Sequence, residues 1–337
     1  MYLIRLFLCV VCVSISALSI AQVPKDQPTV VASDKIDTLL SRQAASMFNL
    51  IDHSLREYPP EIGQPIVRKL ALYNLDALFH ETRYDQSPEL LQFMAKRITA
   101  ALADLSQPLD DGMKIYKLYN HGFVVRTPTV TVAFDLYRGK GLIEDSLMQV
   151  IVDKCDIMFI THLHKDHADK QVADMFINAK KPIWVPSNLW EDNPFVQHIR
   201  SEQITERKIK VKNCFLNVTI IPGHQGELMN NIYEITTPEG FNVIHTGDQH
   251  CENDMGWISQ MYKQIPAPDV LIVNCWTKHF SDFVNGFNPK LVITGHENEL
   301  GHTIDHREPY WFSFQKLEQI NKPYVLMTWG ENYKFPR

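Results

Sequence analysis

The spacing of apolar residues predicts a helical region early in the chain. Within residues 22–107, after a short polar leader, apolar positions recur every three or four residues, the period of an amphipathic helix. Ser33 and Ser87 are typical helix N-caps, and Pro59 followed by Pro60 ends the first helix. We therefore predict three helices in this region, which either pack on the following domain or line a substrate site.

Beyond Gly112 the pattern changes to short apolar runs of strand length, interleaved with helical segments. The predicted strands are 113–119, 123–125, 130–134, 156–161, 182–186, 215–221, 231–236, 241–246, 269–274, 290–294 and 323–328. The predicted helices are 169–179, 188–199, 252–264 and 308–320. This alternation is typical of an α/β layered domain, which we place at residues 112–337.

The first 21 residues have the features of a secretory signal peptide. Arg5 is their single charge, an apolar run follows, and Ser19 and Ala21 are small residues at the positions that precede signal-peptidase cleavage. The alternative is an uncleaved membrane anchor, but the run from residue 6 to 21 is short for a bilayer span. We predict cleavage after Ala21, a secreted or periplasmic protein, and no transmembrane segment in the mature chain.

Composition narrows the class of protein. The 337 residues are 45% hydrophobic and 21% charged, which excludes collagen-like and wholly disordered chains. The net charge of -6 argues against general nucleic-acid binding. After the leader the cysteines are Cys155, Cys214, Cys251 and Cys275, and the sequence leaves open whether they form disulfides or are buried thiols.

Eleven of the fourteen histidines lie from His162 onward, and four metal-ligand residues stand together at the start of that stretch. The apolar strand before Thr161 is followed by His162, His164, Asp166 and His167. In extended chain, residues two apart point the same way, so the first two imidazoles can meet one metal ion. The other two can face a second ion, and this nitrogen and carboxylate set suits zinc, with iron or manganese as alternatives.

Three further candidate ligands each follow an apolar strand and stand next to or close to a glycine. They are His224, Asp248 and His296. Loops at one edge of an α/β sheet commonly carry the site residues, so we expect these side chains to converge with the first motif. Together the residues predict a site for two metal ions.

This ordered set of seven residues resembles the ligand motifs of the metallo-β-lactamase superfamily of hydrolases, over residues 112–337. The resemblance implies a four-layer αββα sandwich. It implies one metal ion on His162, His164 and His224. It implies the other ion on Asp166, His167 and His296, with Asp248 bridging the two. Asp135 matches the acidic position that supports the metal loops in this superfamily.

Asp248 distinguishes branches of the superfamily. The zinc β-lactamases have cysteine there, whereas phosphodiesterases, lactonases and thioester hydrolases have aspartate, so antibiotic hydrolysis is not the expected activity. The long tail after Asp248 resembles the lactonase and N-acyl-phosphatidylethanolamine phospholipase D-like branch. We read Cys251 as a packing residue rather than a ligand.

The sequence thus predicts an exported hydrolase of an ester, lactone or phosphodiester, acting on a small-molecule or lipid-like substrate. In such a site a hydroxide bridging the metal ions is the nucleophile. The residues expected to take part in catalysis are Asp166, His167 and Asp248. The alternatives are a di-iron oxidoreductase, for which the chain carries no flavodoxin-like segment, and a metal-binding protein without turnover.

Other polar residues near these motifs have open roles. They are His245, His250, His279, Glu297 and His302, which could contact substrate, protonate a leaving group, support ligands or be structural. For His245 the structural role is favoured. The remaining histidines before and between the motifs, His53, His80, His121 and His198, are expected at the surface or in the core.

Overall fold

A computed structural model describes residues 31–81, 87–187, 189–199 and 202–336. The predicted signal peptide, residues 1–21, and nearly all of the leader lie outside the described residues. The chain divides into two units, 1–40 and 41–337, and the second holds both β-sheets together with helical residues 41–107. Among the described residues, no helix combines the length and apolarity needed to cross a membrane.

Eight α-helices and fourteen strands are found in the described residues. The helices are α1 (Val31–Glu57), α2 (Ile66–Phe79), α3 (Pro88–Leu105), α4 (Asp145–Lys154), α5 (Lys170–Asn178), α6 (Met255–Ile258), α7 (Phe280–Phe287) and α8 (Tyr310–Leu317). The strands are β1 (Met113–Tyr119), β2 (Gly122–Arg126), β3 (Thr131–Phe134), β4 (Ile157–Phe159), β5 (Ile183–Pro186), β6 (Val196–Ile199), β7 (Thr205–Val211), β8 (Cys214–Gln225), β9 (Leu228–Thr236), β10 (Asn242–His245), β11 (Val270–Asn274), β12 (Leu291–Gly295), β13 (Tyr324–Val325) and β14 (Glu331–Phe335).

The strands form two seven-stranded mixed sheets. The first has the order β14-β1-β2-β3-β4-β5-β6, and the second has the order β13-β12-β11-β10-β9-β8-β7. In each sheet one half is antiparallel and the other parallel: β3 to β6 run parallel in the first, and β10 to β13 in the second. The parallel strands of each sheet therefore end at a common edge.

Alternate side chains along the strands belong to two separate hydrophobic cores. Ile115 and Val132 of the first sheet share one core with Val218 and Ile272 of the second, so the sheets pack face to face. The opposite faces belong to a second core together with the helices, which includes residues of α5, α7 and α8. This is the four-layer αββα sandwich with a helical segment before it, and the predicted fold class is confirmed.

The predicted helices before residue 107 are largely confirmed. The Ser87 hydroxyl accepts a hydrogen bond from the Leu90 backbone N–H, as predicted for the N-cap of α3. The first helix begins at Val31, so Ser33 lies inside it rather than capping it. The division into a helical region 22–107 and a domain 112–337 stays a prediction.

Two helix predictions were wrong. In the segment predicted as the helix 188–199, the described residues 189–199 form no helix, because Asn193 and Pro194 make a turn and Val196–Ile199 joins the edge of the first sheet beside β5. Residues 252–264 form only the single turn α6 between two 3-10 turns. Helices α4 and α7 and strands β7 and β14 were not predicted from the sequence.

A buried network of four charged residues ties the early helices to the end of the chain. Arg68 of α2 donates two hydrogen bonds to Glu331 of β14, at 2.9 and 2.5 Å. Arg97 of α3 pairs with both Glu331 and Asp52, at 3.1 Å each, and its Nε donates to the Trp329 carbonyl. Burial alone would raise the pKa of Glu331, but the two guanidinium groups hold it below its usual value.

Replacing Glu331 with alanine leaves two buried guanidinium groups without this partner. We expect the Glu331→Ala variant to lose about 3–5 kcal/mol of unfolding free energy, measured by urea denaturation. The control is Asp174→Ala, which breaks the exposed Lys170–Asp174 pair and should change stability by less than about 0.5 kcal/mol. Equal losses in the two variants would contradict a structural role for the buried network.

Candidate metal centre

The predicted ligands lie at the edge where strands of both sheets end. His162 to His167 follow β4, and His224 lies near the end of β8. Asp248 comes three residues after β10, and His296 directly follows β12. Ligand sites of α/β folds occur outside the carboxyl ends of parallel strands, and this edge is such a place.

A tight turn after β4 gathers the first motif. The backbone N–H groups of His167 and Ala168 both donate to the His164 carbonyl, at 3.0 and 2.8 Å, which folds residues 164–168 back on themselves. The rings of His162 and His167 consequently lie 4.1 Å apart between centroids, and those of His162 and His164 lie 4.8 Å apart. His162 and His167 are fully buried, whereas His164 is exposed.

One carboxylate oxygen lies close to three imidazoles. Oδ2 of Asp248 is 3.7 Å from Nε2 of His162, 3.2 Å from Nε2 of His167 and 3.4 Å from Nε2 of His296. Oδ2 of Asp166 lies 3.4 Å from the same nitrogen of His167 and 3.3 Å from that of His296. A shared oxygen at the centre of several ring nitrogens is the arrangement expected of a bridging ligand.

These residues form two groups that could each hold a metal ion. Among the described residues, Asp166, His167, Asp248 and His296 make one group, with donor atoms all within 4.8 Å of one another. His162, His164 and Asp248 make the other. Asp248 belongs to both groups, and its role as a bridging ligand stays a prediction.

The chemistry of the donor set fits divalent metal ions. The Nε2 atoms of His162, His167 and His296 are buried and have no hydrogen-bond partner within the described part of the chain. Unpaired buried polar atoms are costly, so three of them aimed at one space indicate a group that binds there. Imidazole nitrogen with carboxylate oxygen is a common ligand set for zinc and also suits iron.

The charges within the cluster support the same conclusion. Burial opposes ionisation of Asp248, but the charges of His167 and His296 hold its pKa well below the usual value. Burial likewise disfavours a charged His296, yet Asp248 and Asp166 raise its pKa to about 10. Burial lowers the pKa of His162 to about 3. The buried carboxylates are therefore stabilised by nearby positive charge. Protonated histidines supply this charge in part, and bound metal ions would supply it fully.

His224 lies outside both groups. Its Nδ1 is 3.1 Å from an Asp254 carboxylate oxygen, and its backbone N–H donates to Oε1 of Gln249. A carboxylate at Nδ1 orients an imidazole so that Nε2 keeps its lone pair, which is the usual arrangement for a metal-binding histidine. Its assignment to the first metal ion stays a prediction.

Asp135 holds the loop that carries the predicted ligands His162 to His167. It follows β3 with a φ of 44°, is fully buried, and accepts hydrogen bonds from the backbone N–H and hydroxyl of Thr161 at 2.8 and 2.6 Å. Its Oδ2 also lies 2.8 Å from Nδ1 of His167, which leaves Nε2 of that ring free to face the centre. This is the supporting position that the resemblance implied.

Three asparagines that the sequence did not reveal as site residues hydrogen-bond to the two aspartates, two to the carboxylates and one to the backbone. Asn120, in the turn between β1 and β2, donates to Oδ2 of Asp166 at 3.0 Å. Asn274 donates to Oδ1 of Asp248 at 3.0 Å, and the Asp248 backbone N–H donates to Asn230. In the sequence these asparagines stand out only as polar residues at the end of, or within, an apolar strand.

Two glycines are required where the loops come close. Gly247 has a φ of 54°, and a Cβ there would lie 2.4 Å from Oδ1 of Asn230 and 2.5 Å from the Thr161 hydroxyl. A Cβ on Gly295 would lie 2.1 Å from Nδ1 of His121. Any side chain at these positions would displace the strand ends that carry Asp248 and His296.

The remaining histidines occupy different positions around the centre. His121 and His245 are fully buried beneath it, with rings 4.3 Å apart, and His245 donates to the His121 carbonyl. The ring of His302, which is partly exposed, lies 5.4 Å from that of His296. Trp276 stands between His250 and His296, 4.7 and 5.8 Å from their rings.

Histidines farther from the centre have local partners. His279 is half exposed and pairs with Glu252 at 2.9 Å. His198 lies 2.9 Å from the Leu189 carbonyl, and His53 is exposed on α1. The four cysteines of the described residues are unpaired; Cys155 and Cys275 are buried, and Cys214 and Cys251 are partly exposed.

Comparison with solved structures identifies the fold. Igni18, described as a novel metallo hydrolase from the hyperthermophilic archaeon Ignicoccus hospitalis, is 19% identical with a TM-score of 0.54; the match covers 67% of this chain and 100% of Igni18. The chain has the metallo-β-lactamase fold. No family model and no curated protein matches the sequence.

Two other solved structures have lower TM-scores. YhfI from Bacillus subtilis, described as a metallo-β-lactamase fold protein, is 10% identical with a TM-score of 0.47, over 67% of this chain and 100% of YhfI. CmlA from Streptomyces venezuelae, described as a diiron β-hydroxylase, is 11% identical with a TM-score of 0.47, over 68% of this chain and 55% of CmlA. The lactonase and phospholipase D-like branch within the metallo-β-lactamase fold stays a prediction.

Replacing Asp135 with asparagine removes the acceptor for Nδ1 of His167 while preserving side-chain size. We expect Asp135→Asn to weaken zinc binding about 10- to 100-fold, because the ring loses its orientation. The measurement is competition of the metal-free protein with a chromogenic chelator for Zn²⁺. The control is Asp156→Asn, a buried carboxylate that contacts Thr131 and Lys212 instead. Unchanged affinity in Asp135→Asn would show that Asp135 does not orient the ligand.

Proposed function

We propose that the protein is a hydrolase that uses two divalent metal ions to cleave an ester, lactone or phosphodiester bond. The observation that supports this most is Oδ2 of Asp248, 3.2–3.7 Å from Nε2 of three buried histidines. His162 and His164 would hold one ion together with His224, and Asp166, His167 and His296 the other. Asp248 would contact both.

When bound, the metal ions would supply a Lewis acid and lower the pKa of water to about 7. The protein's own residues set the geometry. The Asp166 side chain is 18% exposed, whereas that of Asp248 is 2% exposed, so Asp166 is the carboxylate that an entering substrate or water reaches. The Asn120 amide holds its Oδ2. Asp166 is therefore placed to orient an attacking water and accept its hydrogen bond.

Other residues would exclude water and contact the substrate. The rings of Trp276 and His302 lie 5.8 and 5.4 Å from that of His296, and both side chains are partly exposed. An indole and an imidazole at this distance can contact an apolar or polar group next to the bond that is cleaved. This arrangement supports a small-molecule or lipid-like substrate.

The resemblance supports the choice of bond. Aspartate rather than cysteine at position 248 is the residue of the phosphodiesterase, lactonase and thioester-hydrolase branches. A hard carboxylate also suits a wider range of divalent ions than a thiolate does. Zinc is the proposed metal, with iron and manganese as alternatives.

The proposal is tested by metal analysis of the purified protein and a panel of chromogenic phosphodiester, lactone and ester substrates. We expect about two metal ions per chain and metal-dependent turnover of at least one class. His162→Ala and Asp248→Ala should each fall below about 1% of wild-type activity, since each removes a ligand. His53→Ala, at an exposed position on α1, is the control and should retain full activity.

Two outcomes would contradict the proposal. Hydrolysis that persists after complete removal of metal would show that the cluster is not the reactive centre. Bound iron with oxygen-dependent redox turnover and no hydrolysis would support a di-iron oxidoreductase on the same fold.

We also infer that the protein is exported. The support is the charged start, apolar run and small-residue site of residues 1–21. Expression of the full chain in a bacterial host should give a periplasmic or secreted form whose first residue is Gln22, as measured by intact-mass analysis of each cell fraction. An intact chain that starts at Met1 in the membrane fraction would instead support an uncleaved anchor.

A further inference from the structure

The segment that carries His296 has an unusual backbone. We call residues 296–309 the His296 loop; it connects β12 to α8. His296 and Asn298 both have left-handed backbone angles, with φ of 74° and 54°. This conformation is uncommon for residues other than glycine, and it persists where surrounding contacts hold the backbone.

Asp76 of α2 provides such contacts from a distant part of the chain. Its Oδ1 accepts hydrogen bonds from Nδ2 of Asn298 at 2.8 Å and from the Tyr310 backbone N–H at 2.7 Å. Its Oδ2 accepts from the Trp311 backbone N–H at 3.0 Å. Asp76 and Asn298 are buried, with exposures of 6% and 0%.

The two bonds to Tyr310 and Trp311 cap α8. The residue before this helix is Pro309, whose side chain cannot accept a hydrogen bond, so the first N–H groups of the helix lack a local partner. The Asp76 carboxylate supplies that partner and a negative charge at the helix N-terminus. One carboxylate therefore fixes both ends of the His296 loop, at Asn298 and at α8.

The end of α2 reinforces this attachment. Arg307 donates to the Phe79 carbonyl at 2.6 Å and to the carbonyls of Leu300 and His302 at 3.1 and 3.0 Å. The His80 ring lies 2.9 Å from the Arg307 carbonyl. Together with the contacts of Asp76, these hold the His296 loop against the C-terminal end of α2. One of the residues that make the contacts, Asn298, is two residues from the predicted ligand His296.

We propose that Asp76 is a positioning residue of the metal centre: through Asn298 it holds His296 in the conformation that binds the second metal ion. The inference rests on the proposed function. It assigns to the helical region before residue 107 a direct part in building the site, in addition to packing.

The test measures zinc affinity rather than turnover. Metal-free wild-type protein is titrated with Zn²⁺ alone by calorimetry and by chelator competition, which resolve the two binding steps. Asp76→Ala and Asn298→Ala should each weaken the step assigned to Asp166, His167 and His296 about tenfold, the scale expected for supporting partners of metal ligands. The step assigned to His162 and His164 should be unchanged.

Three further variants separate positioning from general stability. The double variant Asp76→Ala with Asn298→Ala should bind zinc no more weakly than Asp76→Ala alone, because the contact of Asn298 with Asp76 is already lost in that single variant. Asp76→Asn keeps one acceptor oxygen for Asn298 and should stay within about threefold of wild type. Lys69→Ala removes the contact of α2 with Glu318, beyond the end of α8, and should leave zinc affinity unchanged.

The outcomes distinguish this inference from the proposed function. Asn298→Ala leaves the cap of α8 in place, so it reports on the loop even where Asp76→Ala is too unstable to purify. Wild-type zinc affinity in Asn298→Ala, with two ions bound by the wild-type protein, would overturn the positioning role alone. A wild-type protein that binds fewer than two zinc ions would overturn both.

Discussion

The structure depends on keeping two carboxylates and three imidazoles in one largely buried space. Oδ2 of Asp248 and Oδ2 of Asp166 each face more than one ring nitrogen at 3.2–3.7 Å. Charged groups removed from water are stable only when counter-charges and hydrogen bonds are correctly placed. The fold must therefore bring several strand ends together with an accuracy of a few tenths of an ångström.

The groups around the ligands provide this accuracy. Asp135 fixes the turn that carries His167, and Asn120 and Asn274 each fix one carboxylate oxygen. These supporting side chains come from both sheets, so the centre lies where the two halves of the sandwich meet. Binding of metal ions would therefore also stabilise the packing of the sheets, because binding to the folded state alone shifts the folding equilibrium.

The helices before residue 107 are attached by buried contacts to the domain that carries the candidate metal centre. Arg68 and Arg97 attach α2 and α3 to β14 through Glu331, and Asp76 attaches α2 to the His296 loop and to α8. The first set of contacts is charged and buried, so loss of one partner leaves the other unpaired. The contacts of Asp76 reach Asn298, two residues from the predicted ligand His296. They connect the stability of the helices before residue 107 with the geometry of the metal centre.

Local patterns in the sequence predicted much of this protein. Apolar periodicity located α2, α3, α5, α8 and most strands, because burial on one face of an element is visible in consecutive residues. The ordered histidines and aspartates predicted a site at the strand ends, because their donor chemistry is a property of each side chain. The error at residues 188–199 arose where Asn193 and Pro194 break a helical pattern and an edge strand finds a partner in β5.

The sequence by itself thus determined the class of fold and the donor atoms available to the centre. Only the tertiary structure decided which groups support them, since Asp76 and Asn298 are 222 residues apart and Asn120 and Asp166 are 46 apart. Such pairs leave no periodic trace, because a hydrogen bond between distant segments depends on where the folded chain places them and not on their neighbours in sequence.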